Sequence, residues 1–506
     1  MRRIAVLLVM SFCIIGCIPA SAAAAPPIAT TEAAIGVSYE EATLKGTVNP
    51  EGSATSYYFE YGPTESYGTK IPLSPESVGS GTSNVSVRQL VTGLSQGTTY
   101  HFRVVAEGET TAKGKDLTFS TAGFNFEFGK EGSGEGQFNR PFDTAVDGEG
   151  NIWVTDTENN RVEKFNTKGE YLEQIGKEGV GDGEFKSPKG IAIDSIGNLW
   201  IVDSGNNRVQ VFNSKGKYVS KFGEKGSGEG QFSSPSGIAF DAADRPFIAD
   251  TGNNRIEKFN FSFKFLAQFG KEGTGDGELM SPEGVLIDAK GRIWVTDTGN
   301  DRVQRFNPST FKYVSQFGKE GTGNGEFKSP IGIVNDFQEK LWIVDSGNNR
   351  AQKFSIEGEY LDQIGKEGSG AGQFKAPTGI AAPAAQKLLV LDAGNDRVEG
   401  WTVKAELPTV FTAPVTEITS SSAILHATIN PLGFATTYYF EWGLTTSYGN
   451  QVPATPESIG SGLSNVQVEQ AIGGLTENTT YHVRAVAENV TGVTFGNDRT
   501  FKTLKP

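Results

Sequence analysis

The run Ser187-Pro188-Lys189-Gly190-Ile191-Ala192-Ile193-Asp194, then Asn198-Leu199-Trp200-Ile201-Val202-Asp203, then Arg208-Val209-Gln210-Val211-Phe212 and Tyr218-Val219-Ser220-Lys221-Phe222-Gly223, decides the architecture. Short apolar stretches are cut by Gly, Asn, Asp and Lys, the pattern of brief strands joined by tight turns. The unit then repeats. Indexed on the aspartate that ends its second strand, it returns as Asp156, Asp203, Asp250, Asp297, Asp345 and Asp392, at intervals of 47 or 48 residues. Five residues after each comes an arginine: Arg161, Arg208, Arg255, Arg302, Arg350 and Arg397. A repeat of this length holding four strands cannot bury its apolar faces alone and packs radially against its copies, so an all-β, six-bladed propeller is expected.

Ser187-Pro188-Lys189-Gly190-Ile191-Ala192-Ile193-Asp194 with Asp203-Ser204-Gly205-Asn206-Asn207-Arg208-Val209 closely resembles the NHL repeat, and the resemblance spans residues 124–405. The sixth unit lacks a fourth strand after Arg397-Val398-Glu399-Gly400-Trp401. Phe124-Asn125-Phe126-Glu127-Phe128-Gly129 aligns with Tyr171-Leu172-Glu173-Gln174-Ile175-Gly176, so this N-terminal strand is expected to complete blade six and remove the ring's open edges.

Two flanking segments duplicate one another. Tyr57-Tyr58-Phe59-Glu60-Tyr61-Gly62 returns as Tyr438-Tyr439-Phe440-Glu441-Trp442-Gly443, and Thr99-Tyr100-His101 as Thr480-Tyr481-His482. Alternation such as Ala42-x-Leu44-x-Gly46-x-Val48 predicts a β-sandwich over 27–121 and another over 408–505. The strings from Gly93-Leu94 to Ala106 and from Gly474-Leu475 to Ala487 resemble the later strands of a fibronectin type III domain. That resemblance makes Tyr100 and Tyr481 the corner tyrosines, bonding back near the preceding Leu, while Leu44 and Leu425 stand where the family has its core Trp. The aromatics Tyr57, Phe59 and Tyr61 read as core alternating with sheet surface.

Met1-Arg2-Arg3, the apolar run Ile4–Ile18 and the small residues Ala20 to Ala25 follow the order of a secretory signal, assigned to 1–25. The run falls short of the ~20 residues that span a bilayer, and no later stretch is longer, so no transmembrane segment is expected. Both cysteines, Cys13 and Cys17, lie in this leader, so the exported chain needs no disulfide. Ile14-Ile15-Gly16-Cys17 also resembles a bacterial lipobox, which makes Cys17 a candidate lipidation site and a membrane-anchored lipoprotein the alternative to secretion. Lys plus Arg number 45 against 59 Asp plus Glu, a net charge of −14, and no segment of the exported chain is basic enough for a nucleic-acid footprint. Glycine, at 64 of 506, is in excess of the usual ~7% and marks a chain rich in turns.

Identical Asp and Arg residues in every blade imply identical local work, a charge-assisted bond across a four-residue turn with help from the turn amides. They are read as structural repeat pairs, with the register Trp153, Trp200, Phe247, Trp294, Trp342 and Leu389 as core between blades. The loop Gly176-Lys177-Glu178-Gly179-Val180-Gly181-Asp182-Gly183-Glu184-Phe185 lacks the Gly-Lys-Ser/Thr ending of a phosphate loop and carries carboxylates, so it is a blade crossing without a ligand. The three histidines, His101, His426 and His482, all lie in the flanking segments. The ring therefore has no His or Cys for zinc or for nucleophilic catalysis. Among propellers similar to this one, amidating lyases and streptogramin lyases depend on histidine, whereas a calcium lactonase needs only Asn, Asp and Glu. Some NHL proteins are ubiquitin ligases through an attached zinc-binding RING domain, and nothing in this sequence is expected to bind that zinc. No catalytic residue, cofactor site or metal site is assigned, and Ca²⁺ is the one candidate cofactor; Asn335-Asp336 and Pro383, off the repeat pattern, are where a channel metal would be sought. The expectation is an exported, non-enzymatic binding or scaffold protein of bacterial type, its propeller a platform for protein or glycan at the cell envelope, with a calcium-dependent hydrolase in the channel as the alternative.

Overall fold

The computed structural model describes residues 25–384, 387–404 and 406–505; the leader with Cys13 and Cys17 lies outside them. The chain divides into two compact units, the first made of residues up to Ala33 with Leu44–Gln89 and His101–Thr118, the second of the remainder. The described residues are all-β, with single 3₁₀ turns as their only helical pieces, and no helix among them is long and apolar enough to cross a membrane.

Between residues 123 and 402 the chain forms six four-stranded antiparallel sheets. Blade two is typical: Pro188–Ile193, Leu199–Asp203, Arg208–Phe212 and Tyr218–Phe222 pair in chain order, with Asp203 opposite Arg208. The first strands of successive blades touch in turn, and the first strand of the sixth touches that of the first, which closes a β-propeller ring. In blade six the strands Ile380–Ala384, Lys387–Asp392 and Arg397–Thr402 are completed by Gly123–Phe128, with Val398 opposite Phe128 and Thr402 opposite Gly123.

Apolar packing lies between blades rather than within them. Trp153, Val162 and Ile175 of blade one meet Ile191, Leu199, Ile201 and Phe212 of blade two around Phe185, which the crossing loop inserts. Phe138, Phe185, Phe232, Leu279, Phe327 and Phe374 occupy this loop position, each fully buried. In blades one, two, four and five the aspartate that follows the first strand holds the central tryptophan by its indole N–H: Trp200 donates to Asp194 at 3.0 Å and Trp294 to Asp288 at 3.0 Å. Phe247 has no N–H, and in its blade Asp241 pairs with Lys258 at 3.1 Å instead.

Residues 28–120 form a three-stranded sheet (Ile28–Ile35, Glu41–Asn49, Val85–Thr92) and a five-stranded sheet centred on Thr55–Gly62 and Thr99–Glu107. Residues 409–502 repeat this, and Leu425, Ile429, Phe440, Val483 and Phe501 from its two sheets share one core. The Oη of Tyr100 accepts from the Ser95 amide at 3.0 Å and that of Tyr481 from the Thr476 amide at 2.9 Å, each beside its Leu. Tyr57 and Phe59 are buried and meet edge to face, while Tyr61 is half-buried.

Because Trp294 is wholly buried between two blades, Trp294→Ala is expected to cost about 3–5 kcal/mol through lost burial and a residual cavity. Urea unfolding of both proteins measures it.

Candidate functional site

Each second strand ends on an aspartate that cannot reach water: the six are 0% exposed. Desolvation alone would neutralise such a group, so its partners decide its state. Asp203 shows the arrangement. Its Oδ2 accepts from Arg208 Nε at 2.7 Å and its Oδ1 from the Lys186 amide at 2.7 Å, while Asn206 Nδ2 donates to it at 2.9 Å. The same Arg–Asp bond measures 2.7 Å at Arg161–Asp156, 2.8 Å at Arg255–Asp250, 2.7 Å at Arg302–Asp297, 2.7 Å at Arg350–Asp345 and 2.9 Å at Arg397–Asp392. One expected contact differs: the amides of the intervening turn do not cap the carboxylate. Asn207 adopts a left-handed conformation and returns its own N–H to the Ser204 carbonyl, which closes the turn on itself, so the carboxylate reaches back to the end of the crossing loop.

The arginine then ties down that loop. Arg208 donates through Nη1 to the Val180 carbonyl at 2.8 Å and through Nη2 to those of Gly181 and Glu184 at 2.7 and 2.9 Å. Asn206 adds a bond to the Gly179 carbonyl at 2.8 Å. Equivalent bonds hold the loop before every blade, as from Arg161 to Gly134 and Gln137 and from Arg397 to Gly370 and Gln373. The glycine-rich loops thus use their carbonyls to bind arginine, and their charged side chains face outward: Lys177, Lys271 and Lys319 have side chains about three-quarters exposed.

The channel at the ring's centre is narrow. It holds a cavity of about 160 Å³, walled by Ile191, Ile238, Val285, Ile333 and Ile380, below the ~300–1,000 Å³ of ordinary small-molecule sites. Glycines on the first strands bring neighbouring backbones together; a Cβ on Gly190 would stand 2.2 Å from the Ser236 carbonyl oxygen, and one on Gly237 would stand 2.3 Å from that of Glu283. Blade one breaks this ring with Asp143. Its Oδ1 accepts from the Thr144 amide at 2.9 Å and its Oδ2 crosses to the Ile191 amide of blade two at 3.2 Å. Burial pushes its carboxyl up to about 7, against the pull of those two N–H groups. Glu283 lines the same cavity.

Asp143 was not singled out in the sequence, although its signal is plain: Pro141-Phe142-Asp143 replaces the Pro-x-Gly that opens the other five blades. The positions that were singled out for a channel metal lie elsewhere. Asp336 accepts from Trp342 Nε1 at 3.2 Å and pairs with Lys353 at 3.3 Å, the ordinary duty of that position, and Asn335 pairs with Leu341 at the far end of its strand. Pro383 borders a separate cavity of about 820 Å³, with Asn125, Val146, Lys387, Leu389 and Trp401. It occurs where Leu389 stands in place of the central aromatic ring and Pro383 in place of the aspartate that would hold it.

The histidines are engaged in the sandwiches. His101 Nδ1 lies 2.8 Å from Asp116 Oδ2 and His482 Nδ1 2.9 Å from Asp498 Oδ2, and His426 Nε2 lies 2.6 Å from Thr416 Oγ1. Glu65 joins His101 and Asp116 in a group whose ligand atoms lie within 4.8 Å of one another; the second copy has Thr446 at the corresponding place.

Comparison with known proteins follows the ring. The DUF5128 6-bladed beta-propeller family matches residues 142–205 and 195–269, and the NHL repeat matches 279–306. Protein lin-41 of Caenorhabditis elegans is 41% identical over 66 residues, 13% of this chain, and the match covers 5% of that protein. Among solved structures, a virginiamycin B lyase from Staphylococcus aureus aligns at 18% identity and TM-score 0.40, covering 55% of this chain and 98% of its own. A structural-genomics protein of unknown function from Bacteroides thetaiotaomicron aligns at 16% identity and TM-score 0.44, covering 74% and 98%.

Two substitutions probe these arrangements. Asp203→Ala leaves Arg208 buried without its counter-charge and is expected to cost about 3–5 kcal/mol; urea unfolding reads the loss, and protease nicking at 177–186 reads the released loop. Asp143→Ala strips the Ile191 amide of its acceptor and is expected to cost about 1–3 kcal/mol, again by urea unfolding.

Proposed function

We propose that this chain is an exported binding or scaffold protein: a six-bladed propeller of NHL type flanked by two fibronectin type III-like sandwiches, secreted or held by a lipid on Cys17, which presents the glycine-rich loop face to a protein or glycan at the cell envelope. The observation that carries this reading is the set of arginine bonds to the loop carbonyls, as from Arg208 to Val180, Gly181 and Glu184. A surface already ordered by its own scaffold gives up little conformational entropy when it binds. The cavity of about 160 Å³ in the channel supports docking on a face rather than turnover inside.

Asp143 favours a second reading, a calcium-dependent hydrolase, because it sets a carboxylate beside the channel, whose cavity Glu283 also lines. Oxygen ligands of this kind suit Ca²⁺.

Val180 and Ile196 sit at opposite ends of the strand Pro188–Ile193 and are 74% and 79% exposed. A photo-crosslinking residue at each, in full-length protein exported from its own cells, is expected to give adducts of discrete mass at Val180 and none at Ile196. Adducts at Ile196 alone, or at neither, refute the placement. Thermal unfolding is expected to ignore added Ca²⁺; a rise that Asp143→Asn abolishes moves the assignment to the channel hydrolase.

A further inference from the structure

The six repeats act as an alignment of the chain with itself, and two positions in it vary together. Two residues after the arginine of each Asp–Arg pair stand Glu163, Gln210, Glu257, Gln304, Gln352 and Glu399. Before the buried apolar residue of each crossing loop stand Gln137, Glu184, Gln231, Glu278, Glu326 and Gln373. Every blade has one glutamate and one glutamine in this pair. In blades two, four and five the glutamate is on the loop; in blades one, three and six it is in the strand.

The two places are physically unlike. On the loop, Glu184 accepts from the Gly181 amide at 2.9 Å and pairs with Lys177 at 3.2 Å, and these partners hold its carboxyl below the usual range. Glu278 and Glu326 do the same with Lys271 and Lys319. In the strand the side chain is 0% exposed. There Gln210 fits as an amide: Oε1 accepts from Gly183 at 2.9 Å, and Nε2 donates to the Glu184 carbonyl at 2.7 Å and to the buried Asp203 at 3.1 Å. Gln304 and Gln352 repeat all three bonds.

Glu163 and Glu257 keep the first bond, from Gly136 at 3.2 Å and from Gly230 at 3.3 Å, and their Oε2 atoms are buried without a partner. That second oxygen takes the place of a nitrogen that donates to a carbonyl and a carboxylate, two acceptors. Only a protonated oxygen can donate there. Glu399 is turned so that Oε2 accepts from Trp401 Nε1 at 3.1 Å, and its Oε1, 2.6 Å from Arg397 Nη2, has no aligned hydrogen bond.

We infer that Glu163 and Glu257 are proton-binding sites, each carrying a proton in place of the glutamine amide, and that losing these protons loosens the arginine-held loops of blades one and three while leaving those of blades two, four and five in place. The charged and titratable groups facing Glu163 are Arg161, Asp156, Glu135 and Tyr171; Glu257 faces Arg255, Asp250 and Glu229; Glu399 faces Arg397, Asp392 and Glu127. Each arginine lies close to its glutamate, Nη2 at 3.4 Å from Glu163 and 3.0 Å from Glu257, and favours the ionised form, but burial outweighs it. Burial first, with those neighbouring carboxylates, pushes Glu163 and Glu257 up to about 7 and Glu399 up to about 8. Because the folded values of Glu163 and Glu257 lie above those of an exposed glutamate, their contribution to stability is complete below about pH 4.5 and is lost as pH rises through about 7.

Hydrogen exchange of the full chain, corrected for intrinsic rates, tests this at about pH 6 and about pH 8.5. Amides of 130–140 and 224–234 are expected to exchange about ten-fold faster at the higher pH, and those of 177–187, 271–281 and 319–329 to stay unchanged. Q137E/E163Q gives blade one the pair that blades two, four and five already carry, beside Lys130. In blade three Q231E/E257Q is combined with E224K, because Gln231 donates to Glu224 at 2.9 Å. Each change is expected to abolish the response of its blade alone. Equal responses in all of these loops, no response, or a response that survives the swaps overturns the inference. The infrared carbonyl stretch of protonated carboxylic acid reads the same protons: at the lower pH its intensity is expected to fall with each swap, while Asp143 and Glu399 keep their own share, and a band that the swaps leave unchanged refutes the assignment.

Discussion

The ring depends on one interaction made six times, a buried aspartate bonded to the arginine five residues on. Neither charge is tolerable alone in a site without water. Together they settle more than their own burial. The carboxylate takes an amide from the end of the incoming loop and the guanidinium takes carbonyls from its middle, so one ion pair fixes a strand end, a turn and a loop at once. The loop in turn seats the ring of Phe185 between two blades. Polar and apolar order are thus coupled through the same dozen residues of backbone, which explains why the loops vary so little although they lie on a surface.

Asymmetry within this repetition is where specific chemistry becomes available. Asp143 interrupts the glycine contacts of the channel, Leu389 and Pro383 open a cavity beside blade six, and glutamate exchanges places with glutamine between strand and loop. Each departure is one or two residues wide, and the surrounding scaffold absorbs it without changing the course of the chain. Function lives in such local grafts rather than in the fold that carries them.

Much of the architecture was legible because its determinants are local and repeated. The aspartate to arginine spacing, the aromatic register and the pairing of Phe124–Gly129 with the last blade all follow from residues close in sequence or related by the repeat. What escaped reading depends on contacts between blades. That Asp143 turns toward the Ile191 amide, or that Arg208 reaches three carbonyls of a loop some two dozen residues earlier, requires the ring to be closed first. Asn335-Asp336 misled for the opposite reason: an unusual Asn drew notice to an aspartate that performs the same duty as its counterparts, holding Trp342. The glutamate and glutamine exchange was visible in the letters all along, yet it acquires meaning only when the bond pattern shows that one site needs a donor and the other does not.

Completion of blade six by Gly123–Phe128 sets a condition on how each new copy is made. Asn125 and Thr402, bonded in the finished ring, are 277 residues apart in the chain. At synthesis rates of about 5–20 residues per second, the strand waits roughly 14–55 s for its partner to leave the ribosome. Throughout that interval it is an unpaired edge of the kind that seeks strands in other molecules. Asn125 and Glu127, set among its phenylalanines, give it polar side chains for the wait.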